Sequence, residues 1–77
     1  GDTFYVQLGA FGNFANAQAF QQRMSAQLAT TPRVQQIDSL FRVRLGPFDS
    51  REAAVIARER AQGILATSLP IISSSVR

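Results

Sequence analysis

The chain has no cysteine, no histidine and no lysine, and only five acidic residues among 77. Without cysteine there is no disulfide, thiolate nucleophile or zinc knuckle, and the redox compartment stays open. Without histidine the usual general base and the commonest metal ligand are missing too. No stretch approaches the roughly eighteen apolar residues that would suggest a membrane-spanning helix. The chain opens on strand-like residues with no basic and then apolar leader, so any targeting peptide is expected to lie outside it or to have been removed.

The acids that are present make a poor catalyst. Asp2 is terminal, Asp38 falls in a turn, Asp49 and Glu52 have the spacing of helix caps, and Glu59 is mid-helix. No two face each other as a glycoside-hydrolysing pair must, and a serine nucleophile would lack its base. Gly9 and Gly12 flank a helix start without the spacing of a phosphate-cradling loop. At this length there is room for one domain with a modest core, and a deep enzyme cleft is not expected. No cofactor and no metal are expected.

What the chain does have is arginine, eight of them, which supply the net charge of +3. A planar guanidinium with five donors suits carboxylates, phosphates and sugar hydroxyls, so an anionic or polyhydroxylated partner becomes plausible. Arg23, Arg51, Arg58 and Arg60 fall on helical stretches and are read as solvated faces.

It also repeats itself. FYVQLGAF at residues 4–11 returns as FRVRLGPF at 41–48, and an offset of 37 gives ten identities, from Phe4/Phe41 through Ala17/Ala54 to Thr30/Thr67. Composition alone would give about two or three, so the chain is read as two copies of one supersecondary unit.

Each copy reads as strand, helix, strand. Thr3 to Leu8 alternates Phe4, Val6 and Leu8 with polar residues, and Gly9 is expected to close that strand. Asn13 caps a helix whose inner face is Ala17, Phe20, Met24 and Leu28, ending before Thr30. Val34–Ile37 and Leu40–Leu45 form a hairpin about Asp38 and Ser39. A second helix opens at Asp49 or Ser50, with Asp49 and Glu52 as a capping box, presents Ala54, Ala57, Ala61 and Leu65 inward, and frays or ends at Gly63. Leu69–Ser74, with Pro70 near its start, is the last strand. The fold class is α+β, a ferredoxin-like βαββαβ unit: a four-stranded antiparallel sheet with both helices on one face.

That leaves one sheet face bare. A two-residue hairpin loop pairs Ile37 with Leu40, Gln35 with Arg42 and Val34 with Val43. The open face then carries Tyr5, Gln7, Gln35, Ile37, Leu40, Arg42 and Arg44, and by the repeat Ile72, with Ile71 as the alternative. Phe14 is a further candidate, a rim aromatic beside the first helix.

The same element order serves RNA recognition, which stacks bases on outward aromatics of the central strands. Here Phe41 faces inward and Tyr5 alone remains, so binding of single-stranded nucleic acid is the second reading. Amides and guanidinium groups on a shallow sheet better match the hydroxyls, N-acetyl carbonyls and carboxylates of a sugar polymer.

The V-Q-x-G-x-F run at Val6–Phe11 and the R-V-x-x-G-P-F run at Arg42–Phe48 resemble the SPOR (sporulation-related repeat) family. The resemblance implies a non-catalytic, monomeric module over residues 1–77, the C-terminal part of a larger cell-envelope protein whose catalysis, if any, lies in another domain. It implies a peptidoglycan partner, glycan strands stripped of stem peptides, which would bring the parent to the division septum, with no nucleic acid and no membrane insertion. By motif, the family's strand-one glutamine is Gln7, its strand-three arginine is Arg42, and its exposed large apolar position is Leu40. The family often has an aromatic at that last position and a small hydroxyl residue where this chain has Ala10.

Overall fold

The computed structural model describes residues 2–75. In order they form β1 (Asp2–Phe11), α1 (Phe14–Leu28), β2 (Arg33–Ile37), β3 (Leu40–Phe48), α2 (Arg51–Leu65) and β4 (Ile71–Ser75). The strands make one antiparallel sheet in the order β2-β3-β1-β4, so the repeated phrase is the central pair. The expected βαββαβ architecture is what the chain adopts.

The hairpin forms as its turn chemistry dictates. Asp38 and Ser39 have φ of 53° and 64°, the two positive values that a tight loop between twisted strands needs, and Ile37, Gln35 and Val34 pair with Leu40, Arg42 and Val43. β2 begins one residue earlier than the alternation suggested. Arg33 therefore pairs with Arg44.

β1 corrects the sequence reading most. Gly9 does not close the strand, which runs on to Phe11, because a bulge at Leu8 lets the ladder resume: Gln7 pairs with Arg44, yet Gly9 pairs with the next residue, Val43. Leu8 and Gly9 thus both turn toward the helices, and a Cβ on Gly9 would come within 3.1 Å of the Phe11 ring. The mirror-image irregularity lies in β3, where Gly46, at φ +122°, and Pro47 fall between the Val6–Leu45 and Phe4–Phe48 pairs and carry the strand past Leu45 to Phe48.

Both helices are punctuated alike. Asn13 accepts from the Asn16 N–H and Ser50 from the Ala53 N–H, each at 3.1 Å from an extended backbone, and Ala29 and Ala66 end the helices in the left-handed region. Ser50 is the cap; the Asp49–Glu52 box does not form, because the repeat seats residue 50 where residue 13 sits. Gly63 does not end α2 either. A Cβ there would meet no other part of the molecule within 4 Å, and the helix continues two residues to Leu65.

β4 starts at Ile71, later than expected. Pro70 has no N–H for the ladder, though its carbonyl accepts from the Gln7 N–H at 3.2 Å, and Leu69 is buried with its N–H donating to Gln62 Oε1 at 3.0 Å.

The core lies between sheet and helices. Val6 and Val43 have no exposed surface and share one buried cluster with Leu8, Leu45, Met24 and Leu28. Burying each such side chain contributes about 1.5–3 kcal/mol. Ala17, Ala54 and Ala61 are wholly buried, which seats the helix backbones close to the strands.

Candidate functional site

On the face opposite the helices, the β1–β3 register places Gln7 beside Arg44 and Ala10 beside Arg42. Gln7 Oε1 accepts from Arg44 Nε and Nη2 at 3.3 Å each and from Arg42 Nη1 at 3.5 Å. Two cations share one neutral oxygen. The guanidinium of Arg44 also lies 5.6 Å from the Tyr5 ring centroid, so a half-buried plateau of Tyr5, Gln7, Arg42 and Arg44 occupies the middle of the sheet. Burial, and then the charge of Arg42, push the Arg44 guanidinium below the ordinary arginine value, while Tyr5 acts the other way. It stays protonated at neutral pH.

Arg42 Nε is buried and has no hydrogen-bond partner. None of the outward strand positions among the described residues is acidic. The cluster thus sets two guanidinium groups on a face without an acidic strand position among the described residues, and positive charge of that kind suits recognition of a carboxylate.

The other expected residues arrange themselves around it. Gln35 lies beside Arg42, Leu40 beside Ile37 at the hairpin end, and Ala10 is exposed on the same face. Ile72 pairs with Tyr5, whereas Ile71 pairs with buried Val6 and packs on the core. Ile72 is therefore the outward residue of the two. Phe14 does not join them. It packs edge-on against Phe41 at 5.5 Å, and Phe41 points to the helices, so Phe14 sits on the opposite side of the sheet.

Arg33 is the residue that the sequence reading missed. Its register with Arg44 puts it on the open face, and its Nε donates to the Gly46 carbonyl at 3.1 Å along the sheet edge. Its parity with Gln35 and Ile37 was the available signal, one residue beyond the expected strand.

The helix-covered side offers less. A cavity of about 360 Å³ lies between the end of α1, the end of β3 and α2, lined by Leu28, Thr31, Leu45, Pro47 and Arg60 among others. Among the described residues no group of three or more acids could hold a metal ion, and no helix is long and apolar enough to cross a membrane.

The family model of the SPOR domain matches residues 1–70. The chain belongs to the SPOR domain family. Curated proteins similar to this SPOR domain include the endolytic peptidoglycan transglycosylase RlpA of Salmonella typhi, 41% identical over 59 residues that make up 77% of this chain and 16% of that protein. The RlpA of Yersinia pestis is 37% identical over 57 residues, 74% of this chain and again 16% of the protein. The chain thus spans less than a fifth of the length of these relatives. Its fold is similar to that of the peptidoglycan binding domain of the Bacillus subtilis cell wall lytic enzyme CwlC, with a TM-score of 0.80, 27% identity and coverage of 97% of this chain and 92% of that one. The RlpA SPOR domain from Pseudomonas aeruginosa shares the fold at a TM-score of 0.71 and 23% identity, over 90% of this chain and 96% of its own.

Proposed function

We propose that this SPOR domain is a non-catalytic, monomeric peptidoglycan-binding module whose open sheet face takes glycan strands lacking stem peptides. The observation that carries the reading is the Gln7–Arg42–Arg44 cluster, two guanidinium groups on one amide oxygen beside Tyr5. Removing the stem peptide frees the lactyl carboxylate of N-acetylmuramic acid and turns the strand into a regularly spaced polyanion. Arg42 and Arg44 supply charge-assisted donors for that carboxylate, Gln7 and Gln35 match hydroxyl and N-acetyl groups, and Tyr5 with Ile72 covers a sugar face. The names borne by the CwlC domain and by RlpA, both tied to peptidoglycan, support the same partner.

The module then acts by location. In a cell-envelope parent it concentrates the protein where stripped glycan accumulates, at the division septum, and a transglycosylase active site such as the RlpA name denotes belongs to a separate domain.

The test is a pull-down of the purified domain on intact sacculi and on sacculi whose stem peptides an amidase has removed, with single-stranded RNA as competitor. Enrichment on the stripped sample, unchanged by RNA, is expected. Equal failure on both, with salt-sensitive RNA binding, would move the assignment to nucleic acid, which the inward-facing Phe41 disfavours.

A further inference from the structure

The two copies of the repeat differ where each helix meets the end of a central strand. In the first copy Phe20 fills that place. Its ring packs on Phe11 at a centroid distance of 5.2 Å, lies 3.4 Å from where a Gly9 Cβ would stand, and carries the Arg23 guanidinium at 5.6 Å. At the offset of 37, Phe20, Phe11, Gly9 and Arg23 become Ala57, Phe48, Gly46 and Arg60. The ring is absent, and all four residues line the cavity of about 360 Å³. Leu28 and Leu45 are the buried part of its lining, Thr31 and Pro47 an exposed part. An apolar cavity of roughly 150 Å³ already takes a benzene ring, so the space is ample for one aromatic side chain. Neither Phe48 nor Arg60 has a ring contact among the described residues, and Arg60 makes no hydrogen bond or ion pair among them.

The outer surface differs in the opposite sense. Ile56 and Ile64 stand four residues to either side of Arg60 on α2 and are 65% and 37% exposed, two of the three exposed large hydrophobics among the described residues. Their counterparts on α1 are Ala19 and Gln27. The copy that lacks the buried ring is therefore the one with an apolar rim, and exposed isoleucines bracketing a cavity mark a contact surface. No acid lines the cavity, so an unpaired guanidinium at its mouth favours an acidic neighbour for an incoming ring.

We propose that this cavity is a docking site for a partner protein that inserts a phenylalanine side chain flanked by acidic residues. The first copy shows the fit. The partner's ring lies on Phe48 beneath Arg60 as Phe20 lies on Phe11 beneath Arg23, while Ile56 and Ile64 cover the flanking chain and a partner carboxylate meets Arg60. The site is on the helix-covered side and leaves the open sheet face free, so it stands independently of the glycan reading.

The test titrates three amidated peptides, acetyl-Asp-Phe-Asp, acetyl-Asp-Ala-Asp and acetyl-Lys-Phe-Lys, into the ¹⁵N-labelled domain. Amide shifts at Gly46, Ala57 and Arg60 are expected with the first. Binding should be about tenfold weaker without the ring, and severalfold weaker with lysine flanks. Ala57→Phe gives the second copy the ring that the first already has, and should raise the melting temperature and abolish those shifts. Ile56→Ser, an exposed change that leaves the core alone, should weaken the first peptide severalfold and serves if Ala57→Phe does not fold. Equal binding of the alanine peptide would overturn the proposal, as would equal binding of the lysine peptide or full affinity in Ile56→Ser. Shifts confined to Arg42 and Arg44 would also overturn it, because the peptide carboxylates would then be reading the open face alone.

Discussion

Gln7 shows how much one side chain decides. Its amide oxygen is the acceptor that holds Arg42 and Arg44 side by side, so changing its charge alters both stability and recognition. Gln7→Glu should raise stability by about 1 kcal/mol by putting an anion between two cations. It should also weaken binding of a carboxylate-bearing glycan about tenfold, because the new carboxylate then offsets one of the two guanidinium charges. Thermal melts and glycan titrations of the variant check both, and unchanged affinity would remove the arginines from the site. Gly46 is decisive for another reason. A Cβ there would lie 2.8 Å from the Phe4 carbonyl oxygen and 3.1 Å from the Tyr5 ring, on a backbone at φ +122°. Gly46→Ala should therefore cost about 2–4 kcal/mol and lower the melting temperature by roughly 8 °C or more.

Among the elements, the helices carry defects that the sequence itself could mend. Gly63 lies inside α2 with open space where a Cβ would stand, while Ala66 ends that helix at φ 55°. Gly63→Ala restores a helix former and Ala66→Gly relieves a left-handed alanine. Each should add about 0.5–1 kcal/mol, and chemical denaturation of the single and double variants should find the gains nearly additive. The cap assignment is tested alongside. Ser50→Ala should cost about 0.5–2 kcal/mol, and Asp49→Ala close to nothing, since Ser50 accepts the Ala53 N–H. A capping box is a pattern of residue types, and a neighbouring serine one position on satisfies the same donor. Sequence spacing could not separate Asp49 from Ser50; the repeat, which aligns Ser50 with Asn13, could.

At the scale of the whole molecule, the charge is arginine without histidine. No side chain that ordinarily titrates between about pH 5 and pH 8 is present, so glycan affinity should be flat across that range while falling steadily with added salt. Isothermal titration at a series of pH values and salt concentrations checks this. A pronounced pH step would point to a titrating group that the open face does not contain.

The sequence by itself determined the repeat, the alternation of β1 and β3, the hairpin loop with its register and the bare sheet face. Each is written in spacings of two, three or four residues and in local turn chemistry, and Tyr5, Gln7, Gln35, Leu40, Arg42 and Arg44 could be placed from these alone. Only the tertiary structure decided what depends on a partner distant in the chain. The bulges at Leu8 and Gly46 exist because two strands of unequal local length must keep one register. Arg33 reaches the open face because Arg44 extends the ladder to meet it, and Phe14 leaves the candidate site because Phe41 offers it a ring on the other side. Gln7 meets its two arginines across 35 and 37 residues of chain, a contact made by folding. Local periodicity sets which way a side chain points, and cross-strand register sets what it meets there.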